Sequence, residues 1–522
     1  MRPNTIQALQ LLALSGLISL PLNGGTCASI GELQLPNTTI TTAESVPAGP
    51  FTAGERSVKV AVEFCRVAMV LKPSADSDIH VEVWLPASGW NKKFQGIGNG
   101  GFAGSIDWNS LASAVSHGYA AAATDTGHQA GGTDAAWALK HPEKIADFGY
   151  RAIHETADRA KSVIAAFYGE EAKHSYFNSC SNGGRQALME AERYPGDYDG
   201  IAAGAPANYW THLLTTAIFD VQALSQPGSA ITSSKLPAIQ GAALTACDAL
   251  DGVEDGVIEN PEQCHFDPGV LLCKGPETDA CLTAPQIAAV RAIYGGAQTS
   301  SGEVILPGFA PGGEAEPLGW TEWITGTGGN PSQQYAFGVN FFRYMVYDDP
   351  AWDYKSSTAD QNVKLADERM ASTLNATDAD LQKFESRGGK LILYHGWSDA
   401  AIPPRNTVNY YQSVMRKMGA ENAATFVRLF MVPGWEHCGG GAGPNVFGQG
   451  GVPRADADHD IDAALERWVE QGTAPERVVA TKIQPGSNPP VAARTRPLCA
   501  YPLTAHWKGS GSTDDASNFV CK

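Results

Sequence analysis

Basic residues are scarce. Thirty-seven Lys and Arg stand against 55 Asp and Glu, for a formal charge of −18. A surface so acidic is a poor partner for nucleic acid or an anionic membrane. Long apolar runs are equally scarce. The run from Ala8 to Leu20 is too short to cross a bilayer, and no other stretch is long and apolar enough to do so. None of the ten cysteines shows paired C-x-x-C spacing, which argues against a zinc site. Internal repeats and coiled-coil heptads are also missing.

What is present bounds the protein from the other side. A chain of 522 residues, 43% hydrophobic, can bury a large core and suggests about two to four domain-sized units. Residues 1–26 read as a secretion signal: Arg2, the short apolar run, then Pro21, Gly24, Gly25 and Thr26. Export is the expectation, to the extracellular space or, in a Gram-negative host, the periplasm. An even number of cysteines in an exported chain implies a disulfide framework. Asn37 and Asn375 begin glycosylation sequons that matter only in a eukaryotic secretory host.

Strand and helix signals alternate through the first part of the chain. Ser57–Glu63, Val67–Leu71 and Ile79–Pro86 read as strands, and Phe94 runs as a strand into the glycine-rich loop Gly98-Asn99-Gly100-Gly101. Tyr119–Thr124 is a short buried strand, Tyr150–Tyr168 a helix, and Asp199–Gly204 another strand. This rhythm predicts an α/β fold with a doubly wound, mostly parallel sheet. From Tyr209 to Leu374 it breaks down into clustered cysteines, Gly/Pro-rich stretches and many aromatics, which reads as an inserted lid (209–374). It resumes with a strand at Lys390–Gly396, a helix over Thr407–Lys417, a strand at Thr425–Met431 and a helix over Ile461–Glu470. The catalytic domain is thus expected over 27–208 and 375–522, with a loop-rich tail from Pro497.

One stretch carries chemistry on its face. Tyr176-Phe177-Asn178-Ser179-Cys180-Ser181-Asn182-Gly183-Gly184 passes from β-prone residues through small ones into a helix. This is the context of a nucleophile elbow, with Ser179 where Gly-x-Ser-x-Gly has its first glycine. A serine hydroxyl needs a base, and the base needs an orienting acid. The chain order Ser, acid, His is met by Ser181, by Asp399 just after the Lys390–Gly396 strand, and by His437 after the Thr425–Met431 strand. Asp125 precedes the serine and reads as structural. His395 reads as a satisfied core histidine or a pocket residue, and His128 and His154 have no motif support. The expected oxyanion donors are the backbone N–H groups of Asn182 and of the glycine loop, Gly101 ahead of Gly100. Cys180 precedes the serine and Cys438 follows the histidine, so a working triad would bring these two within disulfide reach. The loop Cys247–Val257 gathers carboxylates in a glycine-bearing loop, which suits the oxygen-loving Ca²⁺ ahead of a merely solvated turn.

Cys180-Ser181, Asp399 and His437-Cys438 together resemble the CS-D-HC pattern of the tannase/feruloyl esterase family. The likeness extends to Val83–Pro86, the Gly98–Gly101 loop, Thr124–His128, the Asp248–Val257 loop, Tyr394–Asp399, Val432-Pro433-Gly434 and the last cysteine pair. The resemblance implies an α/β-hydrolase domain with a large lid. It implies a structural Ca²⁺ held by the side chains of Asp248, Asp251 and Asp255 and the carbonyls of Val253 and Val257. It also implies the pairs Cys27–Cys65, Cys180–Cys438, Cys247–Cys264, Cys273–Cys281 and Cys499–Cys521, with signal cleavage before Cys27. Its members cleave esters of aromatic acids. The expectation is therefore a secreted serine esterase for feruloyl or related hydroxycinnamoyl esters, with a tannase-type galloyl esterase as runner-up. Terephthalate monoesters define a further branch of the family, and an inactive polyphenol- or polysaccharide-binding relative is the reading from another class. Oligomeric state is left open.

Overall fold

The computed structural model describes residues 24–53, 56–328 and 330–522. The expected signal segment lies almost wholly before residue 24, outside the described residues.

A nine-stranded sheet runs through the protein. Its strands are β1 (Thr38–Val46), β2 (Phe64–Leu71), β3 (Ile79–Pro86), β4 (Lys93–Ile97), β5 (Ala120–Thr124), β6 (His174–Cys180), β7 (Gly200–Gly204), β8 (Lys390–Gly396) and β9 (Val427–Val432). In space they lie in the order β1-β2-β3-β5-β4-β6-β7-β8-β9. The first three and the β3–β5 pair are antiparallel, whereas β5 to β9 are parallel. This is an α/β-hydrolase sheet, parallel over most of its strand pairs as the strand–helix rhythm predicts, with an antiparallel side.

Alternation along the strands builds two cores. Val83, Ala122, Phe177, Leu391 and Leu393 point to one face. Their neighbours Trp84, Ala121, Tyr176, Ile392 and Tyr394 point to the other. Helices α1 (Trp108–Ser116), α2 (Ala152–Tyr168), α3 (Asn182–Arg193), α4 (Trp210–Leu224), α5 (Gln333–Phe341), α6 (Ala359–Leu374), α7 (Arg405–Met418) and α8 (Ile461–Gln471) include those that cover these faces. Side chains from α2, α3 and α7 fill the first core, and side chains from α1 and α8 fill the second. A third cluster, with Phe102, Trp210, Phe341, Phe342 and Ile402, joins α4, α5 and the loops at the carboxyl end of the sheet. Between β7 and β8 the chain is helical and irregular and adds no strand to the sheet among the described residues.

Three readings need correction. The strand expected at Ser57–Glu63 is Arg56–Val60, and it pairs with Gly49–Ala53 in a separate ladder rather than in the sheet. Strand β1 was not anticipated: Thr-Thr-Ile-Thr-Thr-Ala-Glu-Ser-Val buries little, has one neighbour, and shifts register between Ile40 and Thr42. The tail is less loop-rich than expected. Ala492–Cys499 pairs with Arg477–Ile483, and Ala505–Trp507 with Phe519–Cys521. Arg494 and Arg496 hide that strand in the sequence, because they turn toward Asp255. All ten cysteines are bonded, in the five expected pairs.

Candidate active site

Strand β6 ends at Cys180 and helix α3 begins at Asn182, so the whole reversal falls on Ser181. Its φ of 67° and ψ of −126° put a non-glycine residue in a sparsely populated region, a strain that the surroundings must hold. They do so through the backbone. Ser181 N–H donates to Gly204 O at 2.9 Å, and Ala207 N–H and Arg185 N–H donate to Ser181 O, each at 3.1 Å. The helix passes so close that a Cβ on Gly184 would lie 2.3 Å from Gly204 O. Ser179 fits only because its neighbours are bare: a Cβ on Gly183 would lie 1.9 Å from Ser179 Oγ, and one on Gly98 2.8 Å.

The structure brings the three expected residues together. His437 Nε2 lies 2.9 Å from Ser181 Oγ, and His437 Nδ1 lies 2.8 Å from Asp399 Oδ2. Ionised Asp399 can only accept, so Nδ1 carries the hydrogen and Nε2 is left to accept from the serine. Asp399 is fully buried at the end of β8, and its Oδ1 accepts from Ala401 N–H at 2.8 Å and Ile402 N–H at 2.9 Å. Burial alone would raise its pKa. The charge and hydrogen bond of His437 and the hydrogen bond of His395 outweigh burial and hold the carboxyl well below the usual carboxylate range. The Cys180–Cys438 disulfide ties the serine loop to the histidine loop across 258 residues of chain. Cys438, like Ser181, has a positive φ (58°).

Gly101 and Asn182 both line the pocket at Ser181, and neither backbone N–H has an acceptor among the described residues. The glycine loop is pinned by side chains that the sequence did not single out. Asn99 N–H donates to Gln186 Oε1, Gln186 Nε2 to Asn99 Oδ1, and Asn182 Nδ2 to Asn99 O. Arg185, fully buried, donates to Asn182 Oδ1 at 2.8 Å and to the carbonyls of Gly149, Phe148 and Leu374. Burial, and to a lesser degree Arg193, pushes its pKa down to about 9.

Of the competing residues, Asp125, His128 and His154 lie elsewhere, whereas His395 is buried beside Asp399. Asp125 is buried and accepts from the N–H groups of His80 and Gly127, and burial lifts its pKa to about 6. His128 stacks on Trp137 and contacts Phe102 O; burial drives its pKa down to about 4. His154 Nδ1 meets Asp197 Oδ2 at 2.6 Å, away from the triad.

Two depressions meet at Ser181. One is walled by Trp210, Leu213, Leu214 and Ala217 of α4, by Phe337 and Gln334 of α5, and by Trp323, Ala401 and Ile402. It contains no Lys or Arg. Its polar side chains outside the triad are Asn182, Trp210, Trp323 and Gln334, and the Trp210 Nε1–H and Gln334 Oε1 are buried without a partner; fully buried Asp220 is driven well above the carboxylate range by burial. Trp323 sets its edge against the His437 ring at 5.0 Å. The other depression is wider and polar, with Arg56, Asn99, Asp107, Trp108 and Asn109 along it.

The Cys247–Val257 loop packs against Pro433 and Gly434, just before His437, and is closed by Cys247–Cys264. Asp248 accepts from the N–H groups of Asp255 and Gly256, and Asp251 accepts from Val253 N–H. Arg494 and Arg496 both meet Asp255 Oδ2. Burial raises Asp251 to about 6 and also raises Asp255. Three carboxylates and loop carbonyls are hard oxygen donors of the kind Ca²⁺ selects, and a divalent charge would offset the cost of burying them ionised. The donor set therefore fits the ion in chemistry. The carboxylates are not drawn together: among the described residues, the three-residue group of potential ligands within 4.8 Å of one another is His154, Glu190 and Asp197.

The chain matches the family described as tannase and feruloyl esterase over residues 65–522. It is 43% identical to an uncharacterized esterase of Xanthomonas campestris, over 98% of this chain and 93% of the relative. It is 32% identical to a probable feruloyl esterase B-2 of Neosartorya fischeri over 99% of both chains. Among solved structures, feruloyl esterase B from Aspergillus oryzae superposes with a TM-score of 0.88 at 28% identity, covering 95% of this chain and all of that one. No described helix is long and apolar enough to cross a membrane.

Proposed function

We propose that this chain, which belongs to the tannase and feruloyl esterase family and is a carboxylic ester hydrolase, cleaves feruloyl or related hydroxycinnamoyl esters through an acyl-enzyme on Ser181. The observation that carries the reading is the contact of Ser181 with His437 and of His437 with Asp399, opening onto an apolar pocket lined by aromatics. His437 takes the hydroxyl proton as Ser181 Oγ attacks the ester carbonyl. The N–H groups of Asn182 and Gly101 receive the oxyanion, and His437 returns the proton to the departing alcohol. Water repeats the sequence to release the acid.

The pocket supports the choice of acyl group. A planar aryl acid buries its ring against Trp210, Leu213 and Phe337, with Gln334 and the Trp210 Nε1–H as the polar groups of that wall nearest a ring hydroxyl. Gallate brings three hydroxyls to a mostly apolar wall, and a terephthalate monoester brings a carboxylate to a pocket without a Lys or Arg. The polar depression suits a hydrophilic alcohol, including the sugar of a cell-wall polysaccharide. The segment 209–374 acts as the lid that supplies most of the acyl walls. Ca²⁺, held by Asp248, Asp251 and Asp255 with the Val253 and Val257 carbonyls, stabilises that lid when bound and takes no part in the chemistry. The five disulfides fit an oxidising compartment, and export with signal cleavage before Cys27 is part of the proposal.

Methyl ferulate, chlorogenate, methyl gallate and a terephthalate monoester assayed side by side test this ranking. Hydroxycinnamates should lead and the terephthalate ester should trail. Gallate in first place would put the tannase reading ahead, and no turnover of any aromatic ester would overturn both.

A further inference from the structure

Asp399 has a second histidine on it. His395, in strand β8 and fully buried, places Nε2 3.1 Å from Asp399 Oδ2 and 3.2 Å from Ile402 O. Its Nδ1 lies 2.7 Å from Thr407 Oγ1, at the start of α7. A carbonyl oxygen only accepts, so Nε2 carries the ring hydrogen and donates it to Ile402 O, with Asp399 Oδ2 beside it at 3.1 Å. Nδ1 then accepts from the Thr407 hydroxyl, and that bond fixes the tautomer.

We propose that His395 is a positioning residue of the reaction, acting on His437 through Asp399; the inference rests on the serine-esterase reading above. Three donors bond one carboxylate, Ala401 and Ile402 N–H on Oδ1 and His437 on Oδ2, and His395 Nε2 stands 3.1 Å from Oδ2 as a fourth polar contact. The two backbone donors fix Oδ1, but the rotation that presents Oδ2 to His437 is set from the far side by His395. The second effect is electrostatic. Glu436, also fully buried, lies close enough to feel the Asp399 charge, and Glu314 and Glu316 of the 209–374 segment act on it in turn. Asp399 is itself fully buried, and a neutral polar neighbour lowers the cost of keeping it ionised without adding a positive charge. Removing it makes Asp399 a more basic carboxylate, which grips the imidazolium of His437 more tightly. The base then loses its proton at higher pH.

Replacement of His395 by Leu and by Gln separates this role from packing, because Gln keeps an N–H donor near the Nε2 position. H395L should lower kcat about tenfold to a hundredfold, the size expected for losing one hydrogen bond to a charged group. KM for methyl ferulate should stay within about twofold, and the acidic limb of kcat/KM should move to higher pH. H395Q should recover most of kcat and the original limb. Wild-type kcat and pH profile in H395L, or a Gln variant as impaired as the Leu variant at equal melting temperature, would overturn the proposal. If H395L does not fold, Thr407→Val decides. Losing the bond that fixes the tautomer should cut kcat several-fold with KM unchanged, and an unchanged kcat counts against it. Ser181→Ala in parallel distinguishes the failures. Activity surviving in S181A removes the underlying reading, whereas an inactive S181A beside a fully active H395L removes only the role of His395.

Discussion

The Cys180–Cys438 bridge is attached one residue from the nucleophile and one residue from the base, so replacing both cysteines with Ala should be felt in two separable ways. The first is stability. The bridge closes a loop of 258 residues, whereas the other four span 38, 17, 8 and 22. In the chain-entropy account a loop of that size is worth about 5.5 kcal/mol. Spread over an unfolding entropy of about 1.1 kcal/mol/K for a chain this long, that is a fall of about 5 °C in melting temperature. The second is geometry. Ser181 and Cys438 both sit at positive φ, a conformation that persists only while neighbours enforce it. Freeing one such residue from its well releases about 1–2 kcal/mol of conformational entropy that the active arrangement must then recover. That corresponds to a loss of about 5- to 30-fold in kcat, with KM little changed because the acyl pocket is built from other elements. Scanning calorimetry and steady-state kinetics on methyl ferulate read the two effects independently. A lower melting temperature with wild-type kcat would refute the positioning role and leave a staple; no change in either would refute the whole account.

Four further outcomes are expected. Ser181→Ala should lose turnover by a factor on the order of 10⁴ or more while the circular dichroism spectrum is unchanged, and residual activity near wild type would point to another nucleophile. EDTA should lower the melting temperature far more than it lowers kcat; an unchanged melting temperature, with no calcium found by elemental analysis of the purified protein, argues against the metal. Gly183→Ala should be badly destabilised because its methyl meets Ser179 Oγ, and adding Ser179→Gly should restore much of the loss; a double variant no better than the single one would mean the clash is not the cause. Glu436 is raised to about 10, first by burial and then by Asp399, Glu316 and Glu314. A folded pKa above the unfolded one means that this group's contribution is intact below about pH 4.5 and declines as pH rises toward 10. Glu436→Gln should therefore raise the melting temperature at pH 8 and leave it unchanged at pH 4, and the reverse pattern would contradict the burial argument.

The strands that carry the site were readable because each is a short apolar run bounded by turn residues, and because chain order assigns serine, acid and base to successive strand ends. The helix boundaries moved by one or two residues, as for the helix predicted at Tyr150, which begins at Ala152 after a π-helical turn over Asp147–Arg151. What escaped was whatever tertiary contact alone makes sensible. β1 carries few apolar residues because it is an edge strand, and Ala492–Cys499 reads as polar because its arginines pair with an aspartate some 240 residues away.

The same division runs through the site. Ser181, Asp399 and His437 announce themselves by type and by the element they end. Arg185, Gln186, Gln334 and Thr407 sit inside ordinary helical pattern, and nothing in their spacing marks them. Each acquires meaning only from a partner brought in by the fold: Asn182, Asn99, the acyl pocket and His395 respectively. The departure at Ser179 shows how the two kinds of information join. In sequence it is a missing glycine. In space its hydroxyl occupies room left by Gly183 and Gly98, so the bareness the turn needs has moved to its neighbours. A search that demands Gly-x-Ser-x-Gly rejects this elbow, whereas one that asks whether the volume beside the serine is free accepts it.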